Sequence, residues 1–205
     1  MCGGKKISYA PAEQTRDDVA AARTAWQAAA PTLRPADLVF IDESGIATNM
    51  GRAYGRALGS RRATGALPYG RWERLTLLGG LSLDGLVACM SVTGATDAAV
   101  MIAFTAQVLV PVLRPGQVVV LDNLSAHKTP RVRELIEAAG CTLLFLPPYS
   151  PDLNPIEAAW SKLKTLLRGL SARTTAALDA ALVTLVDAIT AQDAHGFFRH
   201  CGYPA

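Results

Sequence analysis

The chain has 205 residues, half of them apolar, and a net charge of +3. This size and apolar content predict one domain with a full hydrophobic core and a short appendage. No apolar run is long enough to span a bilayer, no signal peptide is recognisable, and the four cysteines form no disulfide or zinc pattern. These features predict a soluble cytoplasmic protein in a reducing compartment, without a membrane partner.

The first predicted elements are a helix, a strand and a hairpin. Alanine-rich residues 12–30 have a helical pattern with one apolar face, and two prolines end it before a strand at about 37–42. A loop rich in glycine and arginine follows at about 45–71. Strands at about 73–82 and 86–93 are joined by an Asp-Gly turn, which is typical of a hairpin.

The second half of the chain alternates helices and strands. Its predicted elements are helices at about 96–113, 129–139, 155–169 and 174–190, and strands at about 117–122 and 142–146. Antiparallel neighbours followed by alternating strands and helices predict an α/β fold, in which helices cover both faces of a mixed five-stranded sheet.

Two short buried strands each lead into an aspartate. Residues 38–41 run into Asp42, and residues 118–121 run into Asp122. Each aspartate is expected at the carboxyl end of its strand, where ligands bind in sheets with parallel strands. A third acid, Glu157, follows Asp122 after 34 intervening residues, just inside a predicted helix. Three carboxylates at one sheet edge are suited to a pair of Mg²⁺ ions.

Each of these acids also has a structural explanation. Asp42 or Asp122 alone can cap a helix or close a turn. Asn154 is a good N-cap residue and Pro155 suits the first helical position, so Glu157 nearly completes a capping box. Capping and metal ligation therefore both remain open for Glu157.

The segment after Asp42 is strongly basic. Residues 44–72 include no acid and five arginines, which are Arg52, Arg56, Arg61, Arg62 and Arg71. The forked arginine side chain suits contacts with phosphate. A solvated loop and a nucleic-acid-binding loop are both consistent with this composition.

The histidines are less informative. His127, in the loop after Asp122, can contact phosphate or a catalytic water, or make only a local hydrogen bond. His195 and His200, together with Cys201, match no zinc pattern. No glycine-rich nucleotide-binding motif is present.

Four stretches together resemble the catalytic domain of bacterial DDE transposases, in the insertion sequence 630 family related to mariner elements. They are residues 39–44, VFIDES; 48–50, TNM; 120–128, VLDNLSAHK; and 146–157, LPPYSPDLNPIE. The last stretch is the most specific of the four. The gap of 34 residues before Glu157 is also the spacing of that superfamily.

The resemblance implies an RNase H-like fold over residues 37–205, with Asp42, Asp122 and Glu157 as the catalytic triad. These acids would hold two Mg²⁺ or Mn²⁺ ions, one to activate the attacking oxygen and one to stabilise the leaving oxygen. The implied function is metal-dependent DNA cleavage and strand transfer of an insertion sequence into a TA-containing target, by a homodimer at the nucleoid. The implied contacts to DNA are Arg52, Arg56, Arg61, Arg62, Asn123, His127, Lys128, Lys162, Lys164 and Arg168.

The family also carries a helix-turn-helix region before its catalytic domain, whereas about 36 residues precede the first strand here. Residues 1–36 are therefore predicted to be an N-terminal arm and helix, left from a linker to a DNA-binding region. The chain is expected to be the catalytic half of a longer transposase, a second reading frame that works with an upstream helix-turn-helix product, or a decayed copy. Two rival functions remain, a non-catalytic DNA-binding remnant and a structure-specific nuclease of the same fold.

Overall fold

The computed structural model of the protein describes residues 11–52, 54–123 and 129–205. Five strands form one sheet: β1 Leu38–Ala47, β2 Arg74–Ser82, β3 Gly85–Thr93, β4 Val118–Leu121 and β5 Thr142–Phe145. The α-helices of these residues are α1 Asp17–Ala29, α2 Ala98–Phe104, α3 Pro130–Ala138, α4 Ile156–Leu170, α5 Thr175–Leu185 and α6 Ala191–His200.

The sheet is mixed, with the strand order β3-β2-β1-β4-β5. The β1–β2 and β2–β3 pairs are antiparallel, and the β1–β4 and β4–β5 pairs are parallel. The predicted five-stranded mixed sheet and the hairpin between β2 and β3 are therefore confirmed. The central strand, β1, carries Asp42.

Strand β1 is longer than predicted, because its two neighbours pair with it over different lengths. The parallel ladder with β4 ends at Ile41 opposite Leu121, whereas the antiparallel ladder with β2 continues to Ala47 opposite Arg74. Asp42 therefore lies inside a strand, and the prediction that it ends one was wrong. It is nevertheless the first residue beyond the parallel ladder, level with Asp122.

Helices cover both faces of the sheet, as predicted. Successive side chains of a strand point to opposite faces. Leu38 and Phe40 pack into a core with α4, α5 and α6, and Val39 and Ile41 pack into a second core with α2 and α3. In the first core the ring of Phe40 lies 5.3 Å from that of Phe198 in α6.

The predicted helix at 96–113 is only partly regular. The α-helical part, α2, ends at Phe104. A π-helical segment, Thr105–Leu109, and a 3₁₀ turn, Val110–Val112, follow it directly. Pro111 lies in that turn and has no N–H to donate to a preceding carbonyl, which accounts for the change of helix type.

The predicted helix at 174–190 is also shorter, and α6 beyond it was not predicted. Helix α5 ends at Leu185, and a short 3₁₀ turn separates it from α6. Thr190 and Asp193 form a reciprocal capping box at the start of α6. This Thr-x-x-Asp pattern before an apolar residue was the sequence signal that could have identified the helix.

Asp193 ties α6 to α4 as well as capping its own helix. Its carboxylate accepts hydrogen bonds from the ammonium group of Lys162, at 2.5 Å, and from the hydroxyl and backbone N–H of Thr190. The hydrogen bonds from Lys162 and Thr190 lower the pKa of Asp193 to about 2, from an ordinary value of 3.8.

We expect the stabilisation supplied by Asp193 to be lost in acid. A carboxylate with a lowered folded-state pKa stabilises the protein fully above its unfolded pKa, and the contribution disappears as pH falls toward about 2. Asp193→Asn should therefore be less stable at neutral pH, on the order of 1 kcal/mol after solvent screening. Urea unfolding at about pH 7, 4 and 3 measures this, and a difference that did not shrink in acid would contradict it.

In the described residues, no single helix is long and apolar enough to cross a membrane. One pair of helical segments reaches the length and apolar composition of a membrane span only when the two are taken together. The pair is Thr175–Ala188 and Ala191–His200, and the two segments are bent by 78° relative to each other.

Candidate active site

A cavity of about 430 Å³ opens at the sheet edge where β4 ends. Its lining includes the three acids singled out by the sequence, Asp42, Asp122 and Glu157. The other lining residues are Asn123, Asn154 and the segment 146–151. The structure thus brings together side chains from β1, from the end of β4 and from α4 that are far apart in the sequence.

The alternation of side chains along β1 and β4 directs both aspartates to one face. Asp42 has the same parity as Phe40, and Asp122 has the same parity as Val120. Both Phe40 and Val120 belong to the core under α4. Asp42 and Asp122 are therefore expected on the face covered by α4, the helix that carries Glu157.

A glycine allows α4 to lie close to the sheet beside this site. Gly79 in β2 is the cross-strand partner of Asp42. A Cβ atom at Gly79 would lie 2.5 Å from Cη2 of Trp160, which is one helical turn beyond Glu157. Because Trp160 is fully buried, the absence of a side chain at Gly79 sets how deeply α4 packs.

The capping explanation for Glu157 was wrong. Helix α4 begins at Ile156, and no side chain of the described residues forms a capping hydrogen bond at its start. The Glu157 backbone N–H is held by the Asn154 carbonyl instead, at 3.2 Å. Asn154, predicted as the N-cap, lines the cavity, and its side chain does not cap the helix.

The site is acidic and partly shielded from water. Asp42 is buried, with 8% of its surface exposed. Partial burial raises the pKa of Glu157; the positive charge of Lys164 opposes that shift, and the negative charge of Asp122 adds to it. Lys164 lies two turns further along α4, so it is a cation on the helix face that carries Glu157.

The proline-rich loop at the mouth of the cavity is held by the N-terminal helix, a contact that the sequence did not predict. Arg23 of α1 binds the Asp152 carboxylate through two nitrogens, at 2.9 and 2.7 Å, and the Ser150 hydroxyl at 2.8 Å. The Gln14 amide donates to the carbonyl of Tyr149 at 2.6 Å. The assignment of residues 1–36 to a linker remnant stays a prediction, but α1 contacts the site loop directly.

Tyr149 is the strained residue of this loop. Its backbone is left-handed, with φ of 55°, and its side chain is 47% exposed at the rim of the cavity. A left-handed tyrosine is unfavourable and persists only where surrounding contacts impose it. The hydrogen bonds from Gln14 and Arg23 to this segment supply that constraint.

The donor chemistry of the cavity fits a hard divalent cation. Three carboxylates and the Asn154 carboxamide are oxygen donors of the kind that Mg²⁺ and Mn²⁺ bind. In the described part of the chain, no three His, Cys, Asp or Glu side chains are close enough together to hold a metal ion. The carboxylates would therefore have to approach one another to complete a coordination sphere.

The predicted DNA contacts lie on several parts of the chain. Asn123 lines it, and Arg56, Arg61 and Arg62 are exposed on the segment between β1 and β2. Arg52 donates to the Gly169 carbonyl at 3.5 Å. His127 and Lys128 lie outside the described residues.

The predicted contacts on α4 differ in their surroundings. The ammonium group of Lys162 is bound to Asp193, whereas Lys164 is close enough to Glu157 to affect its pKa. Arg168 and Arg52 line a second cavity, of about 680 Å³, near the end of α4. None of these contacts to DNA has been tested, so they stay predictions.

The sequence pattern of the family described as DDE superfamily endonuclease matches residues 37–179. The protein is also similar in structure to the mariner Mos1 paired end complex with Mg, with a TM-score of 0.74 and 17% identity, over 98% of this chain and 65% of that one. The catalytic domain of Mos1 mariner transposase matches with a TM-score of 0.64 and 14% identity, over 96% and 91% of the two chains. These likenesses confirm the predicted RNase H-like fold.

A curated relative, the uncharacterized protein y4pE/y4sA of Sinorhizobium fredii, is 44% identical over 43 residues. That match covers 21% of this chain and 30% of the relative. The chain therefore spans less than two thirds of the length of this relative and of the transposase in the paired end complex.

Proposed function

The chain belongs to the DDE superfamily endonucleases, and on that premise we propose that it is the catalytic part of an insertion-sequence transposase, which cleaves DNA and transfers the strand to a target. The observation that carries the proposal is the convergence of Asp42, Asp122 and Glu157 on one cavity. The Mos1 structures, which include a paired end complex and a strand transfer complex, support DNA as the substrate.

In this proposal the three carboxylates would hold two divalent cations when the site is fully occupied. Mos1 structures with Mg and with Mn support this choice of metal. A bound Mg²⁺ or Mn²⁺ supplies Lewis-acid activation of the attacking oxygen and stabilises charge on the leaving oxygen. Asp42, on the central strand β1, would contribute to holding both ions, while Asp122 and Glu157 would each hold one.

The remaining parts of the site bind and orient DNA. Arginines of the segment between β1 and β2, with Lys164 and Arg168 on α4, are cations that can hold phosphates of the DNA backbone. The buried residues Pro147 and Ser150 of the loop line the cavity and limit access of water from that side. The DNA target is proposed to contain a TA dinucleotide. The protein is proposed to act as a homodimer on DNA at the nucleoid. An upstream helix-turn-helix product would be a second component of that assembly.

Two assays separate this function from its rivals. Metal-dependent nicking of plasmid DNA distinguishes an enzyme from a non-catalytic DNA-binding remnant. Joining of a labelled donor 3′ end to a target duplex distinguishes a transposase from a structure-specific nuclease. Nicking without joining, on donors that carry the terminal repeats of the element, would leave only the nuclease.

Phosphate contacts by the arginine-rich segment should appear as a salt dependence of DNA binding. Each contact releases counterions and contributes a slope of about −0.9 to log affinity against log salt. Replacing both Arg61 and Arg62 by alanine should make the slope shallower by about 2, without changing preference among sequences. Fluorescence anisotropy over a range of salt concentrations measures both quantities.

Arg34 and Arg114 provide the matched control. Both are exposed arginines, but they precede β1 and β4 and so lie at the sheet edge opposite the cavity. The double variant Arg34→Ala/Arg114→Ala should keep the wild-type slope. An equal change in the two double variants would mean that the slope reports total charge rather than contacts at the site.

A further inference from the structure

Asn154 is a deeply buried polar residue whose side-chain oxygen has no hydrogen-bond partner among the described residues. Only 3% of its surface is exposed. Its Oδ1 atom is buried and accepts no hydrogen bond from any residue that the structure describes. A buried carbonyl oxygen without a donor destabilises a folded protein, so such a group calls for a ligand, a bound water or an ion.

The position of Asn154 indicates which of these it meets. The residue lines the same cavity as Asp42, Asp122 and Glu157, and it lies three positions before Glu157 at the entrance to α4. Its backbone is already committed, because its N–H binds the Pro151 carbonyl and its carbonyl binds the Glu157 N–H. The backbone therefore holds Asn154 in the lining of the cavity that also includes the three carboxylates.

The chemistry of the unsatisfied atom selects the ligand. A carbonyl oxygen cannot bind an anionic phosphate oxygen, because both are acceptors. It can bind a hard cation directly, or accept a hydrogen bond from a water molecule on that cation. Both arrangements require the carboxamide to face the site where the three acids would hold a metal.

We propose that Asn154 is a further oxygen donor to the divalent cation at Asp42, Asp122 and Glu157, directly or through one of its water molecules. This inference rests on the proposed function, since it concerns the same site. In the metal-free protein the carboxamide is a source of instability, and its partner arrives with the ion. Asn154 thus trades folding stability for cation affinity.

This trade predicts opposite effects on two measurements that need no catalysis. Asn154→Leu removes the unsatisfied oxygen, so the metal-free protein should melt at the same or a higher temperature, while Mn²⁺ affinity falls about tenfold or more. Asn154→Asp adds a fourth carboxylate, so the metal-free protein should melt lower and Mn²⁺ affinity should be kept or increased. Mn²⁺ titration by calorimetry and thermal melting in chelator measure the two properties.

Gln117 is the matched control. It is also a buried carboxamide, with 5% exposure, but its Oε1 accepts a hydrogen bond from the Arg114 N–H at 2.7 Å, at the opposite edge of the sheet. Gln117→Met should lower the melting temperature and leave Mn²⁺ affinity unchanged. Asn154→Ala is measured as well, because it removes the carboxamide without adding volume to a packed site.

The outcomes separate this inference from the proposed function. Wild-type affinity in both Asn154→Leu and Asn154→Ala would overturn the role of Asn154, provided that Asp42→Asn binds Mn²⁺ poorly, and the triad would stand. A metal-free Asn154→Leu that is destabilised as much as Gln117→Met, with unchanged Mn²⁺ affinity, would make Asn154 a structural residue. Failure of the wild type to bind Mn²⁺ would overturn both proposals together.

Discussion

Replacing Asp42 or Asp122 by asparagine, or Glu157 by glutamine, should abolish DNA cleavage while leaving the fold intact. Each substitution removes one negative charge from the cavity and keeps the size of the side chain. When groups act as one catalytic unit, removing one of them costs about as much activity as removing all. The cleavage rate of each variant should therefore fall by on the order of 10⁴-fold or more. Plasmid nicking with Mg²⁺ or Mn²⁺ measures the loss, and thermal melting measures the fold.

Asp37 is a suitable control for these substitutions. It is the residue before β1, five positions before Asp42, and it forms an ion pair with Arg34. Asp37→Asn should cleave DNA at nearly the wild-type rate. Near-native activity in any one of the three site variants would remove that residue from the proposed triad.

Glu157→Gln is the most informative of the three variants. No capping hydrogen bond forms at the start of α4 among the described residues, so the loss of charge should weaken the helix only through its dipole, by about 0.3–1 kcal/mol. Removing a partly desolvated carboxylate near Asp122 should offset that loss in the metal-free protein. Lost activity with an unchanged or raised melting temperature would therefore point to a role in the reaction rather than in folding.

The central architecture could be predicted because local signals and tertiary structure agree there. Apolar runs of four residues ending in Asp42 and Asp122 predicted two buried strands, and β1 and β4 are neighbours in parallel register. The error at the end of β1 arose because residues 43–47 lose one partner and keep the other. Pairing with β2 over that stretch depends on a strand some thirty residues later, which a local pattern does not reveal.

The site could be predicted only in part, because side-chain hydrogen bonding is decided by tertiary contacts. Asn154 and Pro155 have the pattern of a helix start, and a helix does start there, but the carboxamide of Asn154 does not cap it, and the residue lines the cavity. The contacts of Arg23 and Gln14 with the loop around Tyr149 join residues more than 120 positions apart. No pattern within a single segment predicts such pairs.

Gly79 illustrates a constraint that is visible only in the packed structure. A glycine inside a strand predicts that some other group approaches closely, but it does not identify that group. The approaching group is the indole of Trp160 on the helix that carries Glu157. The distance between β2 and α4, and with it the position of Glu157, one of the proposed catalytic acids, therefore depends on the absence of a single methyl group.

Gly79→Ala should accordingly reduce both stability and activity. The added Cβ would lie 2.5 Å from Cη2 and 2.9 Å from Cζ2 of Trp160, so the indole or the whole of α4 must move. Overpacking of this kind costs about 1–3 kcal/mol. A displacement of about 1 Å at a catalytic group can cost roughly 10²-fold in rate, so cleavage should fall well beyond the loss of folded protein. Urea unfolding and plasmid nicking measure the two effects.

Two further variants distinguish a displaced helix from a general weakening of the sheet. Gly45 lies in β1 of the same sheet, and a Cβ atom there would meet nothing within 4 Å, so Gly45→Ala should be close to wild type in both assays. Trp160→Phe removes the atoms that collide with the new methyl group. The double variant Gly79→Ala/Trp160→Phe should then lose less unfolding free energy than the two single variants lose together, because residues in contact are energetically coupled. Strict additivity would mean that Gly79 acts through the strand backbone and not through α4.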